Sequence, residues 1–123
     1  MATKYLNFET VVAIHQRQIE RFGGAPGIRD AGLIEAAVLR PQSGYYADII
    51  DEAAALWESL TMNHGFVDGN KRIGFAAAAT FLRMNAIRVI ATEMEVADFV
   101  LTALETDKFE KSAIEKWLHE HIE

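Results

Sequence analysis

Apolar residues recur along most of this chain at three- and four-residue spacing, and the runs are separated by Gly, Pro, Asn, Asp or Thr. Phe8, Val11, Val12, Ile19 and Phe22 share one face of a helix that Asn7 can cap and Gly23-Gly24 can stop. After the turn from Ala25 to Asp30, Asp30 can cap a second helix bearing Leu33, Ile34, Ala37 and Val38, which Pro41 ends. A third helix, with Asp51 at or near its start, carries Ala54, Leu56, Trp57, Leu60 and Thr61 toward His64. From Ile73 to Leu82 the chain is small and apolar on nearly every face, which predicts a buried helix stopped by Asn85. Ile87 to Ile90 is extended but too short to imply a sheet. Thr92 with Glu95 forms a capping box before Val96, Phe99, Val100 and Leu104; Ser112 with Glu115 forms another before Ile114, Trp117, Leu118 and Ile122. The pattern predicts an all-α fold, a compact bundle of about six helices in a single domain over 1–123, with a central buried helix following a loop at 64–72.

Composition narrows the class. The 123 residues contain no cysteine, so neither a disulfide framework nor a thiolate metal site is available. No apolar stretch has signal-peptide or membrane-span length, and a cytoplasmic protein without a membrane partner is expected. A net charge of −6 argues against broad, direct nucleic-acid binding, which depends on neutralising phosphates with Lys and Arg. The acidic residues are unevenly spread, however: none falls between Gly69 and Thr92, where Lys71, Arg72, Arg83 and Arg88 all lie. Such an island suits a localised polyanion, although Arg83 and Arg88 read better as solvated surface.

The candidate chemistry is concentrated in His64-Gly65-Phe66-Val67-Asp68-Gly69-Asn70-Lys71-Arg72. An imidazole is the side chain best suited to proton transfer near neutral pH, so His64 suits a general base. Asp68 is a hard-cation ligand fit for Mg²⁺, which takes one or two carboxylates beside substrate phosphates. Gly69 and Asn70 place the loop at the start of the following helix, where free N–H groups and the helix dipole favour a phosphate. Lys71 adds a compact point charge and Arg72 a planar fork. Phe66 anchors the loop to the core. Taken alone, Asp68-Gly69-Asn70 is also an ordinary turn. The glycines are too close together, and Ser or Thr is missing after Lys71, for a P-loop. His15 reads as a hydrogen-bonded packing residue. His119 and His121 point to different faces, against a metal site. Tyr45 and Tyr46 lie in a loop where they could dock a ligand or anchor the chain.

His-x-Phe-x-Asp-Gly-Asn-Lys-Arg at 64 to 72 resembles the signature of the Fic/Doc family, and Lys71 resembles its Doc branch. The likeness runs through Phe22-Gly23-Gly24 and Pro26 to Asp30, covering roughly residues 8 to 85. The nucleotidylating Fic branch carries glycine at the position of Lys71 and a second arginine at that of Phe75. The resemblance implies ATP and Mg²⁺ as cofactors and transfer of the γ-phosphate to a Ser/Thr hydroxyl of a translation factor, elongation factor Tu. It gives His64 the role of base, Asp68 that of metal ligand or acceptor guide, and the phosphates to Gly69, Asn70, Lys71 and Arg72. Lys71 counts with His64 and Asp68 as catalytic. Arg21 joins the phosphate-binding set by the same resemblance; its position at a helix end suits dipole stabilisation as well.

Many Fic proteins restrain themselves with a helix in which Glu precedes Gly or Asn, a pairing absent from this sequence. The resemblance therefore implies restraint in trans, by the antitoxin of a type II toxin–antitoxin system whose C-terminal segment folds on binding. Two other functions remain open at this level: nucleotidyl transfer of the Fic type, and a non-catalytic helical module that binds an acidic or phosphorylated partner.

Overall fold

The computed structural model describes residues 2–123. Six α-helices follow one another as α1 (Phe8–Phe22), α2 (Ala31–Leu39), α3 (Ile49–Met62), α4 (Asn70–Met84), α5 (Glu93–Glu105) and α6 (Lys111–Glu120), with a 3₁₀ turn at Arg40–Ser43. This is the all-α six-helix bundle that the periodicity predicts. α3 and α4 pack most extensively, α6 lies against α3, and α1 lies against α4.

Local signals set most helix starts. The side chains of Asn7, Asp30 and Asp48 each accept an N–H from the first turn of α1, α2 and α3. Asp51 therefore sits within the first turn of α3 rather than capping it. Thr92 and Glu95 form the reciprocal box at α5. Asn85 ends α4 by bonding the carbonyl of Phe81 and both backbone groups of Lys4, while Ala86 takes the left-handed conformation. Val89 makes an isolated antiparallel bridge with Ile122, so the extended segment forms no sheet.

Two expectations fail for reasons that lie far along the chain. Ser112 and Glu115 make no capping box: α6 starts at Lys111, whose N–H donates to Glu58 Oε2 of α3 at 2.9 Å. Glu115 is drawn instead to Lys111 Nζ at 3.2 Å. Phe22 has the phase of the α1 core face but is 49% exposed, while Val11, His15 and Ile19 of that helix are buried.

The core is centred on Trp57 of α3, whose ring meets those of Phe75, Phe99, Phe109 and Trp117 edge-on at centroid distances of 5.2 to 6.2 Å. Losing a ring of this kind typically costs about 3–5 kcal/mol. α4 buries Ile73, Ala77, Ala78, Phe81 and Leu82 on its α3 side. Phe75, while packing edge-on to Trp57, joins Ala76 in lining a cleft of about 440 Å³ whose other walls come from α1 and α5. That second apolar neighbour explains why α4 reads as apolar all round.

Candidate active site

The loop at 64–69 joins the end of α3 to the start of α4, and backbone bonds hold it on both sides. Gly65 O accepts from Arg29 N and Asp30 N at 2.8 and 2.9 Å, and Val67 N donates to Gly27 O at 3.1 Å. An antiparallel bridge joins Ile28 to Phe66. A Cβ at residue 65 would lie 2.5 Å from Ile34 Cγ1, so glycine is what lets the loop press against α2. The loop is thus fixed by α2 and the segment before it.

Two motif side chains, Phe66 and Asn70, and His15 of α1 brace the loop from within. Phe66 is buried and stacks on His15 at 3.8 Å. His15, also buried, bonds through Nε2 to the carbonyl of Asp68 at 2.7 Å. Asn70 accepts from Phe66 N and donates to Phe66 O, both at 3.1 Å, so its amide closes the turn on itself.

Asp68 projects to solvent but is not idle. Its Oδ2 accepts from Ala25 N at 3.1 Å and its Oδ1 from Gly69 N at 2.8 Å. The Ala25 N–H first, then that of Gly69, with smaller help from Arg72 and His15, holds this carboxyl below its ordinary range. The approach depends on Gly24, at φ 114°, where a Cβ would stand 2.8 Å from Asp68 Oδ2. Each carboxylate oxygen keeps a second lone pair, so an ionised Asp68 fits a single contact to Mg²⁺. Among the described residues, no group of three or more His, Cys, Asp or Glu side chains is gathered for a metal.

His64 and Lys71 are left open. His64 is exposed, stands at φ 52°, and its ring takes no hydrogen-bond partner among the described residues. Lys71 is exposed on the first turn of α4, its ammonium likewise without a partner there. That turn begins at Gly69, with φ 77°, and has no side-chain cap and no acidic residue. Free N–H groups, the helix dipole and Lys71 therefore point the same way, toward an anion.

Arg72 crosses to the end of α1, donating to Gln18 O at 3.4 Å and Gly23 O at 3.2 Å. Its guanidinium lies 5.7 Å from the Phe22 ring centroid, and that of Arg21 lies 5.1 Å from the same ring. The contact of both cations with one ring accounts for the exposed position of Phe22. Arg21, Lys71 and Arg72 all line the cleft between α1, α4 and α5; His64 and Asp68 lie outside its lining. Phe75 also lines it, packed edge-on to Trp57 and Trp117. Tyr46 bonds Arg40 Nε at 2.6 Å and anchors its loop, whereas Tyr45 is 84% exposed.

Sequence reasoning passed over Arg29, which it placed only in a turn. In the structure Arg29 donates to the carbonyls of His64 and Asn63 at 2.6 and 3.2 Å. His15 was legible as a bonded packing residue, but not as the support beneath Phe66 and Asp68.

The arrangement can hold phosphates at a cationic helix start and offers, within the same loop, an unpartnered imidazole and an ionised carboxylate. Comparison with known proteins adds a family context. The model of the Fic/DOC family matches residues 5–82. Toxin Doc of Mycolicibacterium smegmatis is 45% identical over 94 residues, which cover 72% of this chain and 70% of that protein. Protein kinase doc of Escherichia phage P1 is 32% identical over 104 residues, covering 81% of this chain and 82% of that protein.

Proposed function

The chain belongs to the Fic/DOC family, and from that premise we propose that residues 1–123 form the toxin of a type II toxin–antitoxin pair. Its activity is transfer of the γ-phosphate of ATP to a Ser/Thr hydroxyl of a translation factor in the cytoplasm, which inhibits translation. One relative bears the name of a toxin and the other that of a protein kinase, the two properties this reading assigns to one molecule. No helix among the described residues is long and apolar enough to cross a membrane. The observation that carries the reading is the start of α4: uncapped, free of acidic residues, bearing an unpartnered Lys71, and reached through a loop that leaves the His64 ring open.

The N–H groups of Asn70, Lys71 and Arg72 receive phosphate oxygens; Asn70 serves through its backbone, because its amide holds Phe66. Gly69 shapes the turn. Lys71 follows the transferred group, and Arg72 with Arg21 adds positive charge from the end of α1. An imidazole nitrogen of His64 takes the proton from the acceptor hydroxyl as that oxygen bonds to the γ-phosphorus. The bond from the γ-phosphorus to the bridging oxygen breaks and ADP leaves. Asp68 is the protein ligand for Mg²⁺, which when bound neutralises charge on the phosphate oxygens. Phe75 supports γ- over α-phosphate chemistry. Where the nucleotidylating branch has an arginine clamp, this chain has a ring packed on Trp57 and Trp117.

The cleft between α1, α4 and α5 is the seat assigned to the antitoxin. Phe22, Val96 and Leu101 give it apolar walls, and Arg21, Lys71 and Arg72 suit an acidic segment that folds as it binds. Label transfer from ATP to purified elongation factor Tu with Mg²⁺ tests the whole reading. Label on the γ-phosphate should appear in the acceptor and vanish with His64→Ala. Label from the α-phosphate would mean nucleotidyl transfer instead. Neither label, with ATP binding demonstrated, would leave a helical binding module without turnover.

A further inference from the structure

We infer that Arg29 is a positioning residue for His64, holding the base in the orientation that transfer requires; this rests on the phosphotransfer reading above. His64 stands at φ 52°, in the left-handed region that residues other than glycine adopt in only a few per cent of cases, histidine among the more tolerant. A residue stays there only when its surroundings over-determine it. Its ring has no partner among the described residues, so the backbone alone aims it. That backbone is gripped from one place: Arg29 Nε donates to His64 O at 2.6 Å and Arg29 Nη2 to Asn63 O at 3.2 Å. The main-chain N–H groups of Arg29 and Asp30 then close on Gly65 O at 2.8 and 2.9 Å. Three successive carbonyls, of residues 63, 64 and 65, are thus held by one two-residue segment.

The planar fork of arginine is what suits it to two adjacent carbonyls, and the end of α3 is where a cation is favoured. Asn63 is the last residue of that helix's hydrogen-bonding pattern, donating to Ser59 O. Arg29 is itself exposed and stands outside the hydrophobic core. A residue that contributes so little to the core, yet spends its guanidinium on the carbonyl of the candidate base, acts on the aim of that base.

The test uses the full chain with Arg29→Ala and Arg29→Lys. The three-bond HN–Hα coupling of His64, taken with its intraresidue HN–Hα NOE, reads its φ and needs no turnover. It should move in Arg29→Ala, and an unchanged coupling overturns the inference whatever the activity. In the transfer assay, Arg29→Ala should lose roughly 10- to 100-fold in kcat, the scale of a misplaced catalytic group, with ATP affinity retained. Guanidinium ion at millimolar concentration should restore part of that loss, and Arg29→Lys should remain low because it lacks the fork. A variant that matches wild-type kcat, or whose loss lies wholly in ATP affinity, overturns the positioning role. A wild-type chain that transfers no phosphate defeats the functional reading instead, and the coupling then decides the inference alone.

Discussion

Two helix starts border the same cleft and are built in opposite ways. At α5, Thr92 Oγ1 accepts from Glu95 N at 3.1 Å while Glu95 Oε1 accepts from Thr92 N at 2.9 Å, and Glu93 adds a second acid to the first turn. At α4, Gly69 offers no side chain, the first turn holds Lys71 and Arg72, and no acid compensates the dipole. α5 thus satisfies its own donors and neutralises its own end. α4 leaves donors open and adds like charge to them, an arrangement that costs stability locally and is useful only to an incoming anion. The contrast separates an end that satisfies itself from one left open, the end to which the proposed function assigns the phosphates.

Substitutions at the two ends should therefore divide cleanly between activity and stability. The largest effect is expected from His64→Ala. Loss of a general base costs about 10²- to 10⁴-fold in rate, measured as label transfer, while the melting temperature should hold because the ring has no partner to lose. Lys71→Glu comes next and should break the comparison by making α4 resemble α5. Transfer should fall roughly 10- to 150-fold, the scale of a charge-assisted hydrogen bond. Urea unfolding of the same variant should show a gain of about 0.3–1 kcal/mol from the repaired dipole. Thr92→Ala is the converse, costing about 1 kcal/mol of stability at the α5 cap with transfer unchanged.

The smallest effect concerns Asp68 and pH. Its carboxyl is held below the ordinary range by the N–H groups of Ala25 and Gly69. A lowered folded-state value means that its contribution is present above the unfolded value of about 3.9 and is lost as pH falls through the lower folded value. The amide resonances of Ala25 and Gly69 should titrate together with one midpoint beneath that reference. Separate midpoints would mean that the two donors do not share one carboxylate.

What could be read from the sequence was what is local. The caps at Asn7, Asp30 and Thr92 involve a side chain and an N–H three residues on, so the sequence spacing carries the whole interaction. Ser112 and Glu115 have the same spacing and fail, because Glu58 on α3 reaches the start of α6 first. Phe22 fails likewise: nothing in the phase of α1 announces that Arg72 will arrive from α4. In the candidate site, residue types were legible because His64 to Arg72 are contiguous. Their division of labour was not, since Asn70 is occupied by Phe66 and Asp68 by Ala25 only after the chain has folded back. Arg29 escaped notice for the same reason, its partners lying 34 and 35 residues away.

The claim that the start of α4 is the phosphate-binding end is tested most directly by following backbone amides as ATP and Mg²⁺ are added. The N–H resonances of Asn70, Lys71 and Arg72 should shift with saturable dependence on ATP, while those of Glu93, Met94 and Glu95 stay in place. Shifts at the α5 end with residues 70–72 unmoved would contradict the account.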